Sequence, residues 1–479
     1  MKSFDYLQLD GCAIASKIKA GALSPEEAVQ FALNRIEALN PSLGAVSLLA
    51  PDLIPDQISA LDPRSPFAGV PFLMKDLGAG VAGLPTHAGS RYFLKHGSAA
   101  RRDDDLTASF RKAGFVILGK TAVPEFGLNL TTEPLSGPAC RNPWDQDFSA
   151  GGSSGGAAAA VGSGMVPLAH ATDAGGSIRV PAAACGLIGL KPGRGRNPEG
   201  PGFANHLMGL TSEHVITRSV RDSAAVLAVT AVPQDLGPEE RSSLAEEAVK
   251  AVSQTPKPTR IALVDAEGGL GSPSADLANG LKAAAVCLED AGHEVGELKD
   301  RRILPLLRES TCVFQKVIWA NLAFEFQSAD PPPSEEDLEP LTWAALERGR
   351  RLSAKDLVSC ERSLLHISYE VNCFFKEFDF LLMPSLAKSA LKLGALPSDH
   401  RSLETHFERL RRFAPFSVIF NVSGHPAISF PYGLGSQDMP IGLQLVGPML
   451  SEERLLQLAG FLIDTRPWPK QPPWLCGEI

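Results

Sequence analysis

The segment from Gly151 to Arg179, GGSSGGAAAAVGSGMVPLAHATDAGGSIR, constrains this chain more than any other stretch. It carries two glycine-framed serines, Ser153 and Ser177, 24 residues apart. The residues between them are mostly alanine and glycine, too small to fill a core alone. Glycine tolerates turns with φ > 0 and lets backbone approach a ligand closely. In such turns successive N–H groups converge on one point and form a nest. A nucleophile beside an oxyanion hole requires that arrangement. The plainer reading of the same glycines is a turn that links two elements.

The 479 residues suffice to bury a large core, and the apolar (44%) and charged (21%) fractions are those of a globular enzyme. A net charge of −9 argues against nucleic acid as a partner. The eight cysteines form no C-x-x-C pair, so a zinc ribbon or thioredoxin-like chemistry has no support, and free buried thiols in a reducing cytosol are expected. The N-terminal MKSFDYLQLDG lacks a signal-peptide apolar region. No apolar run reaches the ~18 residues of a membrane span. Cys476 stands where a prenylation box would place it, but Gly477 and Glu478 are not aliphatic.

Residues 5–40 read as two helices, the second opened by Ser24-Pro25-Glu26-Glu27. Pro51–Pro66 reads as a loop, Phe67–Met74 as a buried strand ending at Lys75-Asp76, and Phe115–Leu118 as a second strand. Ala157–Gly162 continues as a buried helix. Further strands are expected at 187–190, 261–264, 380–383, 427–431 and 441–446, with helices at 220–229, 274–291, 341–378 and 452–462. Pro233–Pro258 reads as surface and Ala329–Pro340 as an exposed loop. Strands alternating with helices indicate an α/β layer fold with a mainly parallel sheet.

Three motifs need weighing. Gly114-Phe-Val-Ile-Leu-Gly-Lys-Thr121 fits a phosphate-binding loop literally, but its middle residues are themselves a buried strand rather than exposed N–H donors. Gly151-Gly-Ser153-Ser-Gly155 fits a nucleophile elbow, yet an irregular stretch rather than a strand precedes it. His425, in Gly424-His425-Pro426, could complete a triad but reads better as a turn residue. The sharper signal is Thr172-Asp173-Ala174-Gly175-Gly176-Ser177-Ile178-Arg179.

GGSSGG, TDAGGSIR, Cys185–Pro192 (CGLIGLKP) and Gly69–Asp76 (GVPFLMKD) together resemble the amidase signature family, over nearly the whole chain. The likeness extends through Arg141–Trp144, Thr217–Asp222, Gly424–Pro431 and Ile441–Pro448. It implies one α/β unit, a large mixed β-sheet covered by helices on both faces, with residues 1–65 a helical segment packed on a core of 66–479. It also implies a Ser-cisSer-Lys triad: Ser177 as nucleophile, Ser153 as bridge after a cis Gly152–Ser153 peptide, and Lys75 as base. Ala174, Gly175, Gly176 and Ser177 would form the oxyanion hole. Ser154, Thr172, Asp173 and Arg179 would support them. Gly127, Asn129 and Thr132, after the Lys-Thr strand, and Cys312 would line the substrate pocket. No cofactor or metal is called for. The implied partner is a small amide, with no nucleic acid and no membrane, and a homodimer is compatible with it.

The implied chemistry is coherent. Lys75 is a base only when neutral, so burial must lower its pKa from about 10.4 towards neutrality. Asp76 must then point away, as strand neighbours do. Within the family the sequence looks most like the 6-aminohexanoate-cyclic-dimer hydrolases, through Gly114–Thr121, Thr131–Pro134, Arg141–Trp144 and Ser212–Arg218. Leu210–Ile216 replaces the aspartate-glutamine phrase usual in tRNA-linked amidotransferase subunits, and the membrane helix of fatty-acid amide enzymes is not read here. The expected reaction is hydrolysis of small linear, cyclic or aryl carboxamides through an acyl-enzyme. Carbamate or ester hydrolysis would use the same oxyanion. A non-catalytic binder with a decayed site is the reading from another class, and the intact Lys75, Ser153 and Ser177 argue against it.

Overall fold

The computed structural model describes residues 6–202, 205–264, 272–298, 303–466, 468–469 and 471–476. The C-terminal tripeptide weighed above as part of a prenylation box, and residue 5 at the start of the first helix, lie outside the described residues. Eleven strands among them form one sheet. In chain order they are β1 (Val46–Leu49), β2 (Pro71–Lys75), β3 (Val116–Thr121), β4 (Leu168–Asp173), β5 (Ile188–Lys191) and β6 (Ser212–Thr217). The rest are β7 (Arg260–Leu263), β8 (Glu294–Glu297), β9 (Phe380–Pro384), β10 (Ala427–Leu434) and β11 (Pro440–Val446). Their order across the sheet is β1-β3-β2-β4-β6-β5-β10-β11-β9-β7-β8.

The sheet is mixed rather than mainly parallel. Parallel pairing is confined to β3-β2-β4 and β9-β7-β8. β4 and β5 are joined by a helix, as parallel strands are, but β6 inserts between them antiparallel to both. β10 and β11 form a direct hairpin placed between β5 and β9. Alternation along the sequence therefore identifies elements but not neighbours.

Helices cover both faces because the strands are apolar on both. Phe72 and Met74 join a core cluster with residues of the helices Gly11–Lys19 and Asp105–Lys112. Leu73, pointing the other way, joins one with the helices Pro25–Leu43 and Gly155–Gly162. The N-terminal stretch also gives β1 to the sheet, antiparallel to β3. Pro51–Pro66 is not all loop: Pro51 and Pro55 sit in the first turns of short helical segments at 51–53 and 54–59, where proline needs no hydrogen-bonded N–H. Ala329–Pro340 is exposed over much of its length but ends on Leu338 and Glu339, both buried.

The consequence for function lies at the carboxyl ends of β2, β3 and β4. There Lys75 pairs with Thr121, and β4 runs on to end at Asp173, on the edge where open α/β sheets place their sites.

Candidate active site

Lys75, the last residue of β2, is fully buried. Its Nζ donates to Ser153 Oγ at 2.8 Å and to Thr172 Oγ1 at 2.7 Å. Asp76 faces elsewhere, accepting the His87 N–H at 2.9 Å. Burial pushes the Lys75 pKa down to about 7, although the carboxylates of Asp173 and Glu213 pull it upward. An amine that titrates near neutrality can take up and return a proton.

Ser153 follows a cis Gly152–Ser153 peptide. The turn that carries it is fixed by Thr132, whose hydroxyl donates to Gly151 O at 2.9 Å and accepts the Gly155 N–H at 3.2 Å. Thr132 is thus a support of the turn and does not reach the cavity. Ser154 ties this turn to β4: its hydroxyl donates to Thr172 O at 3.2 Å, while its N–H donates to Ser177 O at 3.3 Å. Behind it the helix Gly155–Gly162 lies hard against the sheet. A Cβ on Gly156 would stand 2.3 Å from Ala122 N and 2.5 Å from Ala45 O, so only small residues let the helix and its serine turn come this close.

Ser177 sits in the turn between β4 and the helix Arg179–Cys185. The Asp173 carboxylate shapes that turn, accepting the N–H of Gly176 at 2.7 Å and of Ile178 at 3.1 Å. It is also held by both branches of Arg179, at 2.9 and 3.0 Å, and by Asn421 Nδ2 at 2.9 Å. Burial alone would raise the Asp173 pKa, but Arg179 holds it well below the usual carboxylate range. The bond to Asp173 corrects one expectation: the Gly176 N–H is taken by a carboxylate, leaving Ala174, Gly175 and Ser177 as the residues that face the cavity.

That cavity has a volume of about 570 Å³ and is lined by Ser153, Thr172, Ala174, Gly175 and Ser177 together with Phe93, Phe126 and Phe314, the last packed against Gly175. A narrower apolar branch, also reaching Ser177, runs between Leu128, Leu130, Phe314, Phe407 and Leu410. Gly127 lines both; at φ +68° its missing Cβ would stand 3.1 Å from Ser153 Oγ. Asn129 borders the branch, but its amide is engaged with Leu396 O (2.7 Å) and the Leu130 N–H (2.9 Å), so it props the wall. Cys312 is not brought to the site. It is exposed, and Phe314 and Ile318 of the same helix, Ile303–Glu325, face the cavity instead. Among the described residues no cluster of histidine, cysteine or acidic side chains is placed to hold a metal, and no helix is long and apolar enough to cross a membrane.

The family model described as Amidase matches residues 27–456. The chain belongs to the amidase family. The 6-aminohexanoate-cyclic-dimer hydrolase of Paenarthrobacter ureafaciens is 32% identical over 490 residues, covering 99% of this chain and 98% of that one. A solved structure of 6-aminohexanoate cyclic dimer hydrolase complexed with substrate is similar at TM-score 0.88 and 30% identity, covering 98% of this chain and all of that one. A bacterial aryl acylamidase of the amidase signature family is similar at TM-score 0.85 and 26% identity, covering 98% of this chain and 99% of that one.

The look-alike motifs take structural places in this amidase. The phosphate-loop match is β3 and the turn before it, with Lys120 Nζ donating to Thr86 Oγ1 at 2.6 Å. His425 is held in a buried turn by Ser423 Oγ (3.0 Å) and Asn372 Oδ1 (3.1 Å). The sequence reading missed Glu213, His170, Asn421, Gln444 and Phe314. Gln444 Oε1 accepts from Arg179 Nη1 at 2.8 Å. His170, Glu213 and Gln444 lie within the stretches quoted above, Gly151–Arg179, Ser212–Arg218 and Ile441–Pro448, but only the fold shows what they touch, and Asn421 and Phe314 come from segments with no motif.

Proposed function

We propose that this amidase hydrolyses small linear, cyclic or aryl carboxamides through an acyl-enzyme on Ser177. The observation that carries the reading is the Lys75–Ser153 contact at 2.8 Å, from a buried, unprotonated-capable lysine to a serine on the wall that also bears Ser177. Neutral Lys75 takes the Ser153 proton as Ser153 takes that of Ser177. Ser177 Oγ attacks the carbonyl carbon, and the oxyanion forms among the N–H groups of Ala174, Gly175 and Ser177. The lysine proton returns through Ser153 to the leaving nitrogen as the C–N bond breaks. Water, activated by the same pair, releases the acid. The aromatic cavity suits the ring or chain on one side of the scissile bond, and the narrow apolar branch suits an unbranched arm on the other. Carbamates and esters form the same tetrahedral oxyanion and are the second reading.

A fluorophosphonate probe with peptide mapping tests the mechanism. Labelling at Ser177, lost in Ser177→Ala and Lys75→Ala, is expected. Labelling at Ser154, or equal labelling of Lys75→Ala, would sink the assignment. A panel of anilides, primary amides, cyclic amides, carbamates and esters then fixes the bond type, with amides expected to give the highest kcat/KM.

A further inference from the structure

Beneath Lys75 lies a buried pair that the triad does not use. His170 and Glu213 sit on the antiparallel neighbours β4 and β6. His170 Nδ1 accepts the backbone N–H of Lys75 at 3.3 Å, so the ring proton is on Nε2, which donates to Glu213 Oε2 at 2.7 Å. The same Oε2 accepts the N–H of Ala79 at 3.0 Å. One carboxylate oxygen therefore grips the turn that follows Lys75 and, through His170, the residue itself. Gly78, between them, is packed so closely that a Cβ would stand 2.6 Å from Glu213 Oε2 and 3.2 Å from His170 Cε1.

We propose that His170 and Glu213 are positioning residues for the Lys75 base: His170 fixes the end of β2, and Glu213 supplies a buried negative charge that favours the ammonium formed when Ser177 is acylated. The inference rests on the triad reading above. Two carboxylates act on Lys75, Asp173 and Glu213, and both oppose the push of burial. Asp173 is committed to Arg179, whereas the Glu213 carboxylate meets, among the described residues, the His170 imidazole and the Ala79 N–H and no lysine or arginine. The other nearby titratable groups face elsewhere: Asp76 meets His87, Lys120 meets Thr86, and His214 meets Ser223. Glu199 feels the Glu213 charge but is pushed up chiefly by its own burial.

The sign of the effect separates this role from a merely structural one. Removing the Glu213 charge makes Lys75 easier to deprotonate, so the acid limb of the kcat/KM–pH profile moves to lower pH. Glu213→Gln keeps the size and one acceptor, and a downward shift of about half a pH unit or more with a fall in kcat is expected. Glu213→Asp keeps the charge but draws it back, and a smaller downward shift is expected. A variant that merely loosens the turn admits water beside Lys75, and its limb stays or moves up; that result in a folded Glu213→Gln overturns the proposal. If Glu213→Gln does not fold, Glu213→Asp decides alone, since an unmoved limb there is equally fatal. Fluorophosphonate labelling across the same pH range gives a substrate-independent copy of the limb. Failure of the triad itself is distinguishable, because it shows as labelling that survives Lys75→Ala.

Discussion

At the ends of the adjacent strands β2 and β4 stand two ionisable side chains, both buried, in opposite company. Asp173 is given Arg179, Asn421 and two backbone N–H groups, and stays charged. Lys75 is given two hydroxyls and, among the described residues, no ion pair, and its pKa falls to about 7. A buried charge is costly unless paired, and an unpaired one shifts its pKa and neutralises instead. Here the paired group builds the turn that presents Ser177, and the unpaired group is free to exchange a proton. Pairing serves geometry, and withheld pairing serves chemistry.

Replacing the unpaired member gives the largest effect. Lys75→Met should lower kcat/KM by about 10³-fold or more, while raising the melting temperature near pH 7. The sign follows from linkage: the folded-state pKa lies below the unfolded value, so the unfolded chain binds the extra proton between about pH 7 and 10.5. The wild type therefore gains stability as pH rises through that window, and the advantage of Lys75→Met should shrink towards pH 10. A melting-temperature difference independent of pH would refute the neutral lysine.

Breaking the paired member comes next. Arg179→Met leaves Asp173 buried and uncompensated and should cost about 3–5 kcal/mol of stability, read as a lowered denaturant midpoint, with activity lost alongside. Because the Asp173 pKa is depressed, that pair contributes stability above the ordinary carboxylate pKa and loses it only as pH falls well below that value. The smallest effect should be at Cys312: Cys312→Ser is expected to change kcat/KM by less than about twofold, since a surface position carries little. A tenfold change would return Cys312 to the pocket.

Helices such as Pro25–Leu43, Val220–Thr230 and Ala275–Asp290 and the apolar strands β2, β3, β9 and β11 were legible because burial writes itself as periodicity, whereas the helices Pro238–Val252, Ile303–Glu325 and Leu403–Phe413 were not read. β4 was not, since Leu168-Ala-His-Ala-Thr-Asp173 is polar at the positions that face Lys75 and the turn. Nor was β6, which carries Glu213 and His214 through the sheet. The chemistry that defines the site erased the apolar pattern that would have announced its strands. Lys75, Ser153 and Ser177 could be named from the motifs that resemble a family, and the structure brings Lys75 and Ser153 together on the wall that carries Ser177. Cys312 was misplaced by helix phase: two residues turn an α-helix by about 200°, so Phe314 takes the cavity and Cys312 the outside. The resemblance implies Gly176 in the oxyanion hole, but no motif shows that the Asp173 side chain reaches back to take its N–H.

The closeness of the helix Gly155–Gly162 to the sheet has a practical side for anyone who would redirect this amidase to new substrates. A library that spreads substitutions evenly would spend much of its diversity on positions such as Gly156, where the added atom meets main chain that cannot yield. Randomising Phe93 and Asn321 instead changes the lining of the chamber at side chains that do not hold the serine turns. The molecule thus divides into a part to be kept, the serine turns and what packs on them, and a part of the chamber lining open to redesign.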